Sequence, residues 1–472
     1  SPYCESGGRV CVAPSNDGSL RPQVLNDISG LRVHFLQDST FRRPIGAAFF
    51  SFRSPLFVAS PKKSLTASLF TSVLGDVLQD LTYQAGLAGM SAGVSADFNG
   101  FSLAASGYSS RLRDIVEFVG NKVRTAELTA IAFNRQREAA RKQIANFKFQ
   151  QPYALCDYYR RLATETLRFT NEEMLDAVEA SALSDVLDFQ KSLLPDTYLE
   201  AFLIGNLEEN EAREMVDIVQ KALPSSAPLP ADKFPRRQIK ALEPGKRYLQ
   251  QFVTPNPSEE NSAVEVYLQI GADEDDNWLL LGFLDVLMQE SFFEELRTKQ
   301  QLGYVVQSSV DESEDVRGLV LRIQSNVFPP PVIEERIDTF LKQYRAELAT
   351  LSNSEFKQLQ KSLVSQVTDV DKRLDGQAGR LWKEMVKRRY DYSRPWRVRD
   401  RLRTITKNQL LAFYDRFIVP GAPDRRQLSS HVFASRIAPG NLVIDTVPDN
   451  FYPAPPERSL LDEVVQGKTI KA

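Results

Sequence analysis

Hydrophobic positions along this chain recur as two sets in the same order. In the first set, residues 31–53 read as a hairpin that ends in the apolar run Ile45-Gly46-Ala47-Ala48-Phe49-Phe50. Leu65, Leu69, Phe70, Val73, Leu74, Val77, Leu78 and Leu81 then repeat at three- and four-residue steps, the period of a helix with one buried face. In the second set, Val264, Val266, Leu268 and Ile270 alternate with other residues as a strand does, and Leu280, Phe283, Leu284, Leu287 and Met288 form another helix face. Gly100-Phe101-Ser102-Leu103 and Gly318-Leu319-Val320-Leu321 hold equivalent places, each ahead of an amphipathic helix, residues 110–123 and 331–349. Long helical regions start near Phe133 and Phe356. Each set closes with a helix and a strand, at Ala201 to Gly205 and at Leu428 to Ala434. The alternation predicts an α+β fold made of two tandem homologous α/β sandwich domains.

The break between the sets is the stretch Leu223 to Pro235. Its four prolines, Pro224, Pro228, Pro230 and Pro235, forbid a continuous helix or a central strand. The expected division is a tail over 1–24, a first repeat over 25–222, a proline-rich linker over 223–245, a second repeat over 246–437 and a tail over 438–472. At 472 residues each repeat is long enough to bury its own core.

Composition narrows the class of function. Hydrophobic residues make up 42% and charged residues 25%, which argues against disorder, and a net charge of −3 argues against a general nucleic-acid binder. No apolar run approaches the roughly 18 residues that cross a bilayer. The N-terminal Ser1-Pro2-Tyr3-Cys4-Glu5 lacks the basic and apolar regions of a signal peptide, and Cys4, Cys11 and Cys156 are too sparse for a disulfide scaffold. Both features favour a cytoplasmic setting. Asp273-Glu274-Asp275-Asp276 reads as an exposed loop tip, and the basic run from Lys387 to Arg403, broken by Asp391 and Asp400, reads as a salt-bridged surface.

Candidate chemistry lies at one corner of the second repeat. Arg297-Thr298-Lys299-Gln300-Gln301-Leu302-Gly303-Tyr304 follows a helical run and opens into the strand-like Val305 to Val310, with Gly303 expected to make the turn. Arg297 offers a permanent cation with a planar fork of donors, and Tyr304 offers a hydroxyl on a rigid ring. Together they could hold a peptide carbonyl or a developing oxyanion. The plainer reading is an Arg that pairs with a helix end and a Tyr that fills a core. The first repeat has Gln84-Ala85-Gly86-Leu87-Ala88-Gly89 at the same place and no Arg nearby, so the chemistry is on one copy only.

The block Glu295 to Val306 resembles a signature of the C-terminal, non-zinc half of the insulysin/pitrilysin family, the inverted-motif zinc peptidases that include insulin-degrading enzymes. Gln84 to Gly89, Phe147-Lys148-Phe149-Gln150-Gln151-Pro152-Tyr153-Ala154, Tyr158-Tyr159-Arg160-Arg161-Leu162, Leu411-Ala412-Phe413-Tyr414 and His431-Val432-Phe433-Ala434 are similar to further family segments in family order. The resemblance implies a duplicated half of a clamshell that encloses unstructured peptides. It implies that Arg297 and Tyr304 complete an active site against a zinc-bearing N-terminal half or a partner subunit. It also implies zinc as the cofactor of the parent enzyme.

The metal-binding signature itself is missing. The family's H-x-x-E-H places two imidazoles one helical turn apart, whereas this chain has two histidines in all, His34 and His431, in separate strand-like runs. No metal ligands are therefore assigned, and the chain alone is expected to be inactive. Lys372 and Arg373 resemble a basic pair that contributes to a family polyanion site for molecules such as ATP. The alternative for them is a solvated helix face. Other readings of the chain are a non-catalytic subunit of a two-chain peptidase and a structural subunit of the same fold. A homodimer remains open, and no nucleic-acid or membrane partner is expected.

Overall fold

The computed structural model describes residues 20–453, apart from 99, 193–195, 226, 231–232, 234 and 368–370. The expectations for Cys4, Cys11 and the outer parts of both tails lie outside the described residues.

The first repeat runs β1 (Gln23–Ile28), β2 (Leu31–Gln37), β3 (Ile45–Arg53), α1 (Pro61–Leu87), β4 (Ser91–Asp97), β5 (Gly100–Tyr108), α2 (Ser109–Thr125), α3 (Ala130–Ala145), α4 (Pro152–Thr164), α5 (Asn171–Glu179), α6 (Leu183–Lys191), β6 (Asp196–Gly205), α7 (Glu209–Ala222) and β7 (Ala227–Pro228). The second runs β8 (Arg247–Val253), β9 (Ser262–Ala272), α8 (Asp275–Phe293), β10 (Val305–Ser313), β11 (Val316–Ser325), α9 (Pro330–Thr350), α10 (Asn353–Val367), α11 (Leu374–Val386), α12 (Arg394–Thr404), α13 (Lys407–Phe417) and β12 (Gln427–Phe433).

The two sheets share one topology. The first has the order β1-β2-β6-β3-β5-β4, and the second the order β10-β11-β9-β12-β8. Removing β1 leaves paths that superimpose strand for strand, and the parallel pair sits at the same place in each, β2 with β6 and β8 with β12. The fold is α+β with two mixed sheets, each packed with helices. One local expectation is overturned. Residues 31–53 are not a hairpin, because β6 lies between β2 and β3. The reason is burial: β6 is covered along nearly its whole length, and such a strand needs neighbours on both edges.

Local signals explain the helix starts. Ser60 caps α1 by accepting from the Lys63 N–H at 3.2 Å, with Pro61 behind it. Thr170 and Glu173 form a capping box on α5.

Packing does not follow the sequence boundary. Helix α4 of the first repeat lies on the second sheet, where Leu155 and Cys156 pack against Ala263 and Val432. Helix α11 of the second repeat lies on the first sheet, where Leu374, Ala378, Leu381 and Met385 pack against Leu36, Ala47, Phe202 and Ile204. Each exchanged segment carries a buried polar anchor. Arg160 on α4, 1% exposed, donates to Glu265 on β9 at 2.7 Å and to Asp311 on β10 at 3.1 Å. Tyr390, just after α11, donates to the buried Glu200 on β6 at 2.7 Å.

Further departures share this long-range character. The segment expected as a linker pairs β7 with the first two residues of β6, Asp196 and Thr197, and bridges Ile239 to Glu165. Beyond residue 437 the chain runs along the second sheet, with Ile444 bridged to Gln250. Asp273, expected at an exposed tip, has a buried carboxylate that collects Arg317, Arg389 and Arg394, which bind it at once. Burial alone would raise its pKa, but these guanidiniums hold it far below the usual carboxylate range.

Candidate functional site

Helix α8 ends in one π-helical turn, Glu294–Lys299, which rotates the chain before it leaves the helix. Turns of this kind are rare and concentrate at functional sites. The exit is pinned by backbone bonds from Gln300 to Glu295 and from Leu302 to Leu296, both 3.0 Å, and the Leu302 side chain is buried. Gln301, not Gly303, takes the left-handed conformation, with φ +52°. Gly303 is needed for another reason. A Cβ there would lie 1.9 Å from the Gln324 carbonyl oxygen on β11, so only glycine lets the chain pass that strand.

The corner presents the two predicted residues together. Tyr304 is 81% exposed, which rules out the core reading for it. The Arg297 guanidinium carbon lies 4.6 Å from the Tyr304 ring centroid and 5.0 Å from that of Phe293, so the cation is within cation–π distance of both rings. Among the described residues no carboxylate pairs with Arg297, and neighbouring Lys299 takes Glu294 and Glu295 instead. The two arms of the corner are locked further along: Ser308 on β10 donates to Asp285 on α8 at 2.7 Å in a buried setting. Burial pushes the Asp285 carboxyl up, against the bonds from Ser308 and Gln289. The result is a rigid platform that holds an unneutralised guanidinium and a phenol side by side toward solvent, an arrangement able to donate to a carbonyl or an oxyanion. Phe293 and the π-helical turn were not legible in the sequence, where the helical period simply continues.

Lys372 and Arg373 lie elsewhere, on the first sheet. They stand before α11 at the rim of a cavity of about 730 Å³ whose floor is Ser102, Ala104 and Ser106. Arg373 donates to Asp375 at 3.0 Å, and Arg380 is tied to Asp371 at 2.6 Å.

The histidines do not form a metal site. His34 on β2 sits 3.3 Å from Glu200, and His431 on β12 sits 2.7 Å from Glu334, each buried in a different sheet. Among the described residues no group of three His, Cys, Asp or Glu side chains is placed to hold a metal ion, so this donor set does not fit zinc. No described helix is long and apolar enough to cross a membrane.

Two family profiles match the chain: the middle or third domain of peptidase M16 over residues 10–177, and the C-terminal lobe domain 4 of PQQ synthase PqqF-like proteins over residues 283–382. Peroxisomal insulin-degrading enzyme-like 1 of Arabidopsis thaliana is 30% identical over 433 residues, which is 90% of this chain and 44% of that protein. Human insulin-degrading enzyme is 27% identical over 88% of this chain and 40% of its own length. The crystal structure of pitrilysin superimposes with a TM-score of 0.80 at 21% identity, over 90% of this chain and 45% of pitrilysin. A peptidase M16 inactive domain from Pseudomonas fluorescens matches with a TM-score of 0.63 at 15% identity, over 88% of this chain and 99% of its own. The chain thus spans less than half the length of the curated relatives it matches.

Proposed function

We propose, from the premise that this chain belongs to the M16 peptidase family and is insulin-degrading-enzyme-like, that it acts as the half of a zinc metalloendopeptidase that lacks the metal and completes the active site with Arg297 and Tyr304. The observation that carries this reading is the exposed corner where an unneutralised Arg297 stacks on Tyr304. A structural subunit has no use for that arrangement. Tyr304 would donate its hydroxyl to the scissile carbonyl as negative charge builds on the oxygen, and Arg297 would hold substrate carbonyls and keep the phenol in place. The hydrolytic centre itself would come from a zinc-bearing half, either continuous with this chain or a separate subunit.

The substrate class that goes with this reading is unstructured peptides small enough to be enclosed. Lys372 and Arg373 would add a site for polyanions such as ATP on the first sheet. The division into repeats 25–222 and 246–437, joined by 223–245, is part of the proposal, and the matched strand orders support it.

The test is reconstitution. This chain is combined with a zinc-bearing M16 half and assayed on a fluorogenic peptide. Turnover should need both halves, and Arg297→Lys, which keeps the charge but loses the planar fork, should lower it by about tenfold or more. Full turnover by the zinc half alone, or an indifferent Arg297→Lys, would overturn the reading.

A further inference from the structure

We propose that β4 is a strand-addition site for an extended acidic peptide segment, with side chains of that segment entering the cavity between the first sheet and the start of α11. The inference rests on the peptide-handling reading above and gives it a second point of contact, remote from Arg297 and Tyr304.

Strand β4 ends its sheet and pairs only with β5. Alternate N–H and C=O groups of an edge strand therefore have no ladder partner. The usual protections are missing. The sequence Ser91-Ala92-Gly93-Val94-Ser95-Ala96-Asp97 has no Lys, Arg or Pro, and its register with β5 runs without a bulge. The equivalent edge strand β10 is engaged instead: Asp311 binds Arg160 and Arg161, and Glu312 binds Lys383 and Lys387.

Next to β4, small side chains leave the cavity of about 730 Å³. That volume lies in the range of roughly 300–1,000 Å³ typical of ligand pockets. The charge at its rim selects the occupant. Among the described residues, Arg43, Lys372 and Arg373 line it together with the carboxylate of Asp375, which Arg373 engages, so the cation counted on here is the exposed Arg43. Arg43 is exposed, and no carboxylate pairs with it among the described residues. A peptide that satisfies both the edge and the rim is extended, for the backbone ladder, and carries acidic side chains on one row.

The probe is a fluorescein-labelled peptide of alternating Val and Glu, about eight residues long, the length of a typical strand. Its anisotropy is followed on titration with this chain. Saturable binding is expected, weakened about tenfold or more by Ala104→Trp, which fills the cavity, and by Arg43→Glu, which reverses charge at the rim. Circular dichroism and thermal melts establish that both variants fold.

Two N-methylated peptides, blocked at odd or at even residues, give the decisive readout. One should fail to bind and the other should bind like the parent, because only alternate N–H groups reach the edge. Equal behaviour of the two, indifference to Ala104→Trp, or sedimentation showing β4 consumed in a dimer of this chain would each overturn the proposal. Tyr304→Phe should bind the peptide as the parent chain does. Failure here therefore stays distinct from failure of the catalytic reading, which is read by turnover.

Discussion

Two helix-to-strand corners occupy the same place in the two repeats, and they differ in almost every detail. From α1 to β4 the helix closes normally: Ala88 bonds back to Gln84 and Ala85, Gly89 turns at φ +72°, and the strand starts at Ser91. From α8 to β10 the chain adds a π-helical turn, puts its left-handed residue at Gln301, squeezes Gly303 past β11, and displays Arg297 on Tyr304. The scaffold is common, and the exposed Arg297–Tyr304 contact belongs to one copy only. On the proposed reading, one copy of the duplicated fold serves as support and a few residues of the other form the site.

The reciprocal helix exchange extends the comparison to the cores and gives the largest expected effect. Arg160→Met would leave Glu265 and Asp311 buried with a reduced set of cations and lift α4 from the second sheet, at a cost of about 3–5 kcal/mol. Tyr390→Phe at the other seam should cost about 1–2 kcal/mol, since Glu200 keeps His34 and Arg53 nearby. Denaturant unfolding of the two variants checks the order. Equal losses would mean that the two seams are not built differently.

The buried histidine–glutamate pairs give a pH-dependent contrast. Burial would raise the pKa of Glu334, but His431, Ser429 and Arg247 outweigh it and hold it at about 2. A depressed carboxylate contributes stability that is present above its unfolded pKa, near 4.5, and lost as pH falls through its folded value. For Glu334 the contribution is about 3 kcal/mol, disappearing between about pH 4.5 and pH 2. Thermal melts across that window should fall steeply, and less steeply in Glu334→Gln. An unchanged slope in the variant would remove Glu334 from the acid response.

Substituting the two corner glycines sharpens the comparison directly. Gly303→Ala sets a methyl against a backbone carbonyl that no side-chain movement can relieve, so it should cost about 3 kcal/mol and displace Tyr304. Gly89→Ala meets nothing nearer than 3.7 Å and carries only the left-handed conformation, about 1 kcal/mol. Melting temperatures give the ranking, and the reverse order would refute the reason assigned to Gly303.

Much of this was legible in the sequence, because periodicity reports local structure. The two helix-and-strand sets, the α+β class and the Arg297 to Tyr304 block are local patterns, and the structure brings that Arg and Tyr into contact. What could not be read depends on distant partners. Nothing in residues 31–53 tells that β6 will enter between β2 and β3. The apolar face of α4 looks the same whichever sheet it covers, and a run of acids at 273–276 reads as solvent-exposed until three arginines from elsewhere converge on Asp273. The need for glycine at 303 comes from its close approach to Gln324, a tertiary contact that no local pattern carries.

The most direct test is Tyr304→Phe in the reconstituted enzyme. The side chain is 81% exposed and Tyr304→Phe keeps the ring that Arg297 packs on, so stability should change by less than about 0.5 kcal/mol. Loss of one donor used mainly in the transition state should lower turnover by about a hundredfold, with a much smaller change in KM and no change in bound zinc. Near-normal turnover at normal zinc occupancy would contradict the account.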